Sequence, residues 1–180
     1  MRNKTQQAPH DRQVRSRLLE AGQTLFSAHG YAATSMRQIA EKTGLSLGGI
    51  YNHFSSKEAI FQAVLMEYNP FKRSNLRPLP ENFDRHQVKI LLDEMDKQPE
   101  FFNLILIEIL EFKGKHLPTL FEEISGDNPP SSSWRILISM MISYHVTHIL
   151  LASTSPAGTQ TQISPDTLMD FLLNGILESE

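Results

Sequence analysis

The sequence predicts an all-α protein, with an N-terminal three-helix module ahead of a larger helical domain. Three observations predict it. Apolar residues recur at three- and four-residue spacing along most of the 180 residues. No stretch shows the two-residue alternation of a half-buried strand. Ser, Thr or Pro precedes these apolar runs and Gly or Pro follows them, which divides the chain into helix-length pieces.

The opening residues 1–10 are polar and basic, with Arg2, Lys4 and Pro9, and read as a flexible tail. Asp11 then reads as a cap for a helix from Arg12 to His29, whose Val14, Leu18, Leu19, Ala21, Leu25 and Phe26 form one apolar face, with Gly30 as its stop. Thr34 or Ser35 caps the next helix, and Gln38, three residues past Ser35, supplies the reciprocal half of a capping box. Gly44 ends that helix because the residue just past a helix end sits at positive φ, where only Gly goes without cost. Ser46 caps a third, short helix. Ala40 is small enough for the two helices to cross closely. Ile39, Leu45, Ile50 and Phe54 supply the buried contacts, leaving Leu47, Gly48, Tyr51 and Asn52 on the outward face. Two short helices around a three-residue turn, anchored by a third, are the layout of a DNA reader.

Ser55 with Glu58 reads as another capping box, opening a helix through Ala59, Ile60, Ala63, Val64 and Leu65 that ends near Pro70. The segment Asn69 to Phe83 holds three prolines and reads as the domain boundary, giving a DNA-binding domain at 11–68 and a second domain at 69–180. Beyond it, helices are predicted near Asp84–Lys97, Pro99–Lys113, Leu117–Ile124, Ser132–Ala152 and Pro165–Leu177. Ser164-Pro165-Asp166 is a strong start for the last, since proline suits the first helical turn and acid suits its positive dipole end.

Composition narrows the function classes. The net charge of −3 hides an asymmetry: residues 1–57 carry eight Lys/Arg against three Asp/Glu, and residues 58–180 carry nine against seventeen. Basic charge therefore gathers where the helix-turn-helix lies, as suits a nucleic-acid module joined to one that stays off phosphates. With no cysteine there is no disulfide framework or thiolate site, and no apolar h-region follows the first residues, so a cytoplasmic address is expected. The apolar stretch Trp134 to Ala152 is broken by Arg135, Tyr144, His145, Thr147 and His148, which makes it a buried helix rather than a membrane span.

Leu25-Phe26 before Gly30-Tyr31, then Thr34-Ser35, Ile39-Ala40, Gly44, and above all Tyr51-Asn52-His53-Phe54 followed by Lys57-Glu58 resemble the TetR type of transcriptional regulator. The resemblance spans Arg12 to Glu67. It implies an all-helical homodimer with a three-helix DNA-binding domain and a helical ligand-binding and dimerisation domain. Past Pro70 it implies general architecture only. The ending Phe171 to Leu177 is similar to the last helix with which such proteins dimerise, which makes Leu168, Leu172, Gly175 and Ile176 interface candidates.

Each candidate has a bland reading beside the functional one. Lys57, at a helix start beside Ser55 and Ser56, is either a solvated lysine or a phosphate ligand, and the helix N-terminus favours the phosphate. The short helix already has Ile50 and Phe54 on its inner face, so Tyr51 is left to reach the DNA backbone. Thr34 and Arg37 are further phosphate candidates, although Thr34 also reads as a plain cap. Asn52 suits adenine, Leu47 a thymine methyl, and His53 guanine or phosphate. Ser46, Gly48 and Gly49 complete the reading surface, the glycines removing bulk where backbone nears base edges; their bland alternative is a tight helix crossing.

In the second domain the helix from Phe101 to Phe112 is apolar on nearly all sides. Phe101, Phe102, Ile105, Ile109 and Phe112, with Met141, Tyr144, His145 and His148, are candidates to line an effector pocket, though ordinary core is the commoner role for any one of them. His145 and His148 with Glu108, Glu111 or His116 match no complete metal-ligand set. No cofactor or catalytic group is called for. The expected function is a dimeric regulator, a repressor released from a near-palindromic double-stranded operator by a small, mostly apolar effector. The alternatives are a helical enzyme built on His145, His148 and Glu108, and a protein-interaction module with a vestigial DNA-binding head.

Overall fold

In the computed structural model, the structure describes residues 4–73, 85–125 and 132–154, and among these every regular element is helical. In chain order they are α1 (Lys4–Ala33), α2 (Met36–Thr43), α3 (Leu47–Tyr51), α4 (Lys57–Glu67), a 3-10 turn at Pro70–Arg73, α5 (Arg85–Lys97), α6 (Pro99–Phe112), α7 (Leu117–Ser125) and α8 (Ser132–Thr154). The helix predicted at Pro165–Leu177, with Leu168, Leu172, Gly175 and Ile176, lies outside the described residues. The chain forms two compact units: residues up to Asn69 with Asn103–Leu120, and Pro70–Phe102 with the residues from Phe121 on.

Local chemistry accounts for the ends of α2 and α3. Ser35 caps α2 with both bonds of the capping box, its Oγ accepting from the Gln38 amide at 3.2 Å while Gln38 Oε1 accepts from the Ser35 amide at 2.7 Å. At the other end Gly44 is left-handed at φ 69° and ψ 20°. The Leu45 and Gly44 amides donate back to the Ala40 and Glu41 carbonyls at 3.1 and 3.3 Å, which closes the helix as a Schellman turn. The Arg17 guanidinium of α1 donates to the Thr43 carbonyl, tying this turn to the first helix. Ser46 then caps α3 by accepting from the Gly49 amide at 3.1 Å.

Two predicted starts differ in the structure. α1 begins at Lys4, so Asp11 is an interior residue and not its cap. Pro9 interrupts only one i→i−4 bond, the one its missing N–H would make to Thr5, and the helix runs through it. The cap of α4 is Ser56 rather than Ser55, its Oγ accepting from the Ala59 amide at 3.0 Å. That register puts Ala59, not Glu58, at the third helical position, so no capping box forms and the Glu58 carboxylate goes elsewhere.

The core of the first unit sits where α1 crosses α4. Leu18, Phe26, Ile39, Ile50, Ile60, Phe61 and Leu65 are fully buried there. Gly22 permits the crossing: a Cβ at that position would stand 3.0 Å from Ile60 Cγ2 and 3.1 Å from Val64 Cγ2. Phe61 is the centre of an aromatic group, edge-on to Phe26 and Tyr31 at 5.4 and 5.5 Å and stacked on Phe112 of α6 at 4.9 Å. In the second unit Phe71 meets Phe101 at 6.2 Å and Phe102 meets His145 at 5.5 Å, among buried Val88, Leu92, Ile124, Met141 and Tyr144. No helix among the described residues is long and apolar enough to cross a membrane.

Candidate nucleic-acid interface

α3 has one buried face and one open face. Ile50 is fully buried and Phe54 nearly so, which anchors the helix on α1 and α2. The opposite face exposes Leu47 (37%) and Tyr51 (53%), two large apolar bodies that a core would normally absorb. Ser46, Gly48 and Asn52 are exposed beside them, and His53 and Gly49 are half-buried. Arg37, in the first turn of α2, is exposed on the neighbouring helix. Arg15 of α1 lies with its guanidinium carbon 4.7 Å from the centre of the Phe54 ring, a cation–π contact that steadies the turn after α3.

The two glycines of α3 stand in different surroundings. A Cβ on Gly49 would come within 3.3 Å of Ser46 Oγ, the atom that caps the helix, whereas a Cβ on Gly48 would meet nothing within 4 Å. Nothing inside the protein therefore requires glycine at position 48. Gly48→Ala is expected to stabilise the fold, by about 0.5–1 kcal/mol from lower backbone entropy alone. It should at the same time weaken DNA binding wherever the backbone must come close to base edges. Thermal melts and duplex titrations on one preparation test this, and a variant that is more stable with unchanged affinity would remove Gly48 from the surface.

Two of the phosphate candidates are held inward. Thr34 is buried, with its hydroxyl donating to the Gly30 carbonyl at 2.8 Å and the Leu25 carbonyl at 3.2 Å, so it braces the end of α1. The Lys57 ammonium donates to the Tyr31 and Thr34 carbonyls, each at 2.6 Å, and lies 4.0 Å from the centre of the Tyr31 ring. Partial burial lowers its pKa, and the Glu111 carboxylate opposes that shift. An ammonium has three donors, and these carbonyls use two.

Residues 18–64 match the family model for bacterial regulatory proteins, tetR family. The transcriptional regulator UidR of Escherichia coli is 40% identical over 54 residues, which are 30% of this chain and 28% of that protein. The segment 18–64 is thus similar to the DNA-binding head of the tetR family. Another relative, the transcriptional repressor AcnR of Corynebacterium efficiens, is 40% identical over 62 residues, a third of each chain. The chain spans only about a third of these relatives' length or less. Over the larger part of the chain the likeness is one of fold. GusR of Salmonella enterica superposes with a TM-score of 0.66 at 18% identity, covering 90% of this chain and 94% of that one. The fatty acid degradation regulator FadR of Bacillus halodurans gives 0.63 at 17% identity, covering 91% and 96%.

Sequence reasoning set Glu108 and His116 beside His145 and His148 and missed the set they form with Glu58 and Lys115 in the first unit. Glu108 of α6 is fully buried and accepts from the His116 backbone amide at 2.6 Å and from His116 Nδ1 at 2.8 Å. His116 Nε2 lies 3.2 Å from Glu58 Oε1, which also takes the Lys115 ammonium at 2.6 Å. Those bonds, Lys115's foremost, lower the Glu58 pKa. The signal was present in the sequence: Glu108 interrupts the apolar run Leu104 to Ile109, and a buried carboxylate requires partners. Phe112, predicted to line a pocket, packs instead in the first unit against Tyr31, Phe61 and His116, with ring centres 4.6, 4.9 and 4.9 Å away. Ile105 belongs to that unit too and is buried, while Ile109 is half-buried. Phe101, Phe102, Met141, Tyr144 and His145 are buried in the second unit, and nothing is described of the His148 side chain. Among the described residues no three His, Asp or Glu side chains converge as a metal-ligand set.

Proposed function

We propose that this protein is a dimeric, sequence-specific transcriptional regulator, a repressor that places one α3 per subunit in successive major grooves of a near-palindromic operator and leaves it when a small, mostly apolar effector binds. The observation that carries the reading is the exposed face of α3. Leu47, Gly48, Tyr51 and Asn52 stand outward on a helix whose other side is locked into the core by Ile50 and Phe54. On this reading Tyr51, Lys57 and Arg37 hold phosphates while Asn52, Leu47 and His53 meet base edges. Ser46, Gly48 and Gly49 let the backbone approach, and Thr34 contributes by holding the corner before α2.

The repressor assignment is supported by the likeness of residues 18–64 to the tetR family model and by AcnR, a relative named as a repressor. A repressor acts by occupying its site, so no catalytic group is needed. The homodimer rests on the resemblance of the head and on the many apolar residues of the sequence at 132–154 and 165–177, which one small subunit cannot readily bury. The effector's character follows from the Phe, Ile and Met residues of the second domain, accompanied by few polar groups such as Tyr144 and His145.

The test is to select fragments of DNA with the purified protein, then titrate selected and scrambled duplexes across a salt series. Asn52→Ala should relax preference at a single operator position, at about 1–3 kcal/mol, without changing the salt slope. An enzyme or interaction module with a vestigial head would select no common sequence.

A further inference from the structure

The break in α1 leaves a backbone corner that other helices hold. Gly30, at φ 80° and ψ 168°, interrupts the helix, and Tyr31–Ala33 restart it as a single turn immediately before the α2 cap. The first amides of a restarted turn have no carbonyl four residues back to bond. Here they are met from α6: Glu111 Oε1 accepts from the Tyr31 amide at 3.2 Å and the Ala32 amide at 3.4 Å. The corner's carbonyls, those of Tyr31 and Thr34, are met from α4 by Lys57. Next along α4, Glu58 turns the other way, to Lys115 and His116 just past the end of α6. The end of α6 therefore touches the helix-turn-helix at both of its ends, through Glu111 where it begins and through His116 where it is anchored.

We infer that Glu111 is a positioning residue for DNA reading: from α6 it caps the Tyr31–Ala33 turn and so sets the pitch at which α2 and α3 leave α1. The inference rests on the regulator reading and names a residue that positions its reading helix. Hydrogen bonds of 3.2 and 3.4 Å have little length to spare, so removing the carboxylate or drawing it back breaks them. The corner then loosens, and α3 loses the fixed geometry on which base contacts depend. Phosphate contacts, which need less exact geometry, are retained. Glu111 is exposed, so its substitution leaves the core intact.

The experiment compares full-length wild type, Glu111→Ala, Glu111→Gln and, as a control on the same helix, Leu110→Ala, whose side chain is 67% exposed. The probes are a duplex selected by the wild type and a scrambled duplex of equal length, with amide exchange of Tyr31 and Ala32 read alongside. Glu111→Ala should speed both amides and lower the selected-to-scrambled affinity ratio by about tenfold, the value of one charge-assisted hydrogen bond, with scrambled binding unchanged. Glu111→Gln keeps an acceptor oxygen at the same reach. It should retain the slow amides and stay within about threefold of the wild-type ratio, since a neutral bond has roughly half the strength. Leu110→Ala should match the wild type. An unchanged ratio in Glu111→Ala, an equal loss in Leu110→Ala, or a Gln variant as impaired as the Ala variant would each overturn the assignment. A wild type without sequence preference would instead overturn the regulator reading, before any variant is considered.

Discussion

Phe61→Ala is expected to destabilise the N-terminal unit by about 3–5 kcal/mol, the range for a large aromatic removed from a closed core. Phe61 is fully buried and its ring is shared by α1, α4 and α6 through Phe26, Tyr31 and Phe112. Truncation removes the transfer energy of the ring, leaves a cavity that three helices cannot close together, and deletes ring pairs each contributing about 0.5–1.5 kcal/mol beyond their area. Against a stability of about 5–15 kcal/mol for an ordinary domain, that is a large fraction. Urea unfolding followed by helical circular dichroism measures it. A midpoint shift equivalent to less than 1 kcal/mol, at unchanged denaturant dependence, would mean that the aromatic group does not hold this unit together.

Lys57 should lose two separable things. In Lys57→Ala the Thr34 carbonyl loses its ammonium donor and the Tyr31 carbonyl is left with the Thr34 amide alone, at about 1–2 kcal/mol because the site is only part-buried and water can replace some of what is lost. The same variant should reduce the salt slope of DNA binding by about one unit if the ammonium also reaches a phosphate. Lys57→Arg separates the roles. A guanidinium keeps the charge, yet its planar fork does not reproduce one nitrogen lying 2.6 Å from both carbonyls. Arg should therefore retain most of the salt slope while melting close to the Ala variant. An Arg variant as stable as wild type would show that the two carbonyl bonds contribute little, and an Ala variant with the wild-type slope would remove Lys57 from the phosphate contacts.

What could be read from the sequence was what neighbouring residues encode. The Ser35–Gln38 box, the left-handed Gly44, the Ser46 cap and the inward Ile50 and Phe54 all depend on residues three to five apart, and the structure contains each of them. Glu58 was misread because a carboxylate three residues past a serine satisfies the capping pattern whether or not the helix starts there. Its actual partners, Lys115 and His116, are 57 and 58 residues away. Lys57 was read as a phosphate ligand at a helix start because the sequence cannot show that the corner after Gly30 brings the Tyr31 and Thr34 carbonyls within its reach. α6 posed the same difficulty in larger form. Its all-round apolar pattern says that it is buried, but not that Phe112 meets the aromatic group of the first unit while Phe102 meets His145 in the second.

The central claim is that the open face of α3 reads DNA sequence, and the most direct measurement is the affinity of the full-length protein for a duplex it has itself selected, compared with a scrambled duplex as salt is raised. The account predicts that log affinity falls linearly with log salt on both duplexes, that the selected one binds about a thousandfold or more tighter at physiological salt, and that Asn52→Ala narrows this gap without altering the slope. Equal affinity for the two duplexes at every salt concentration would contradict it.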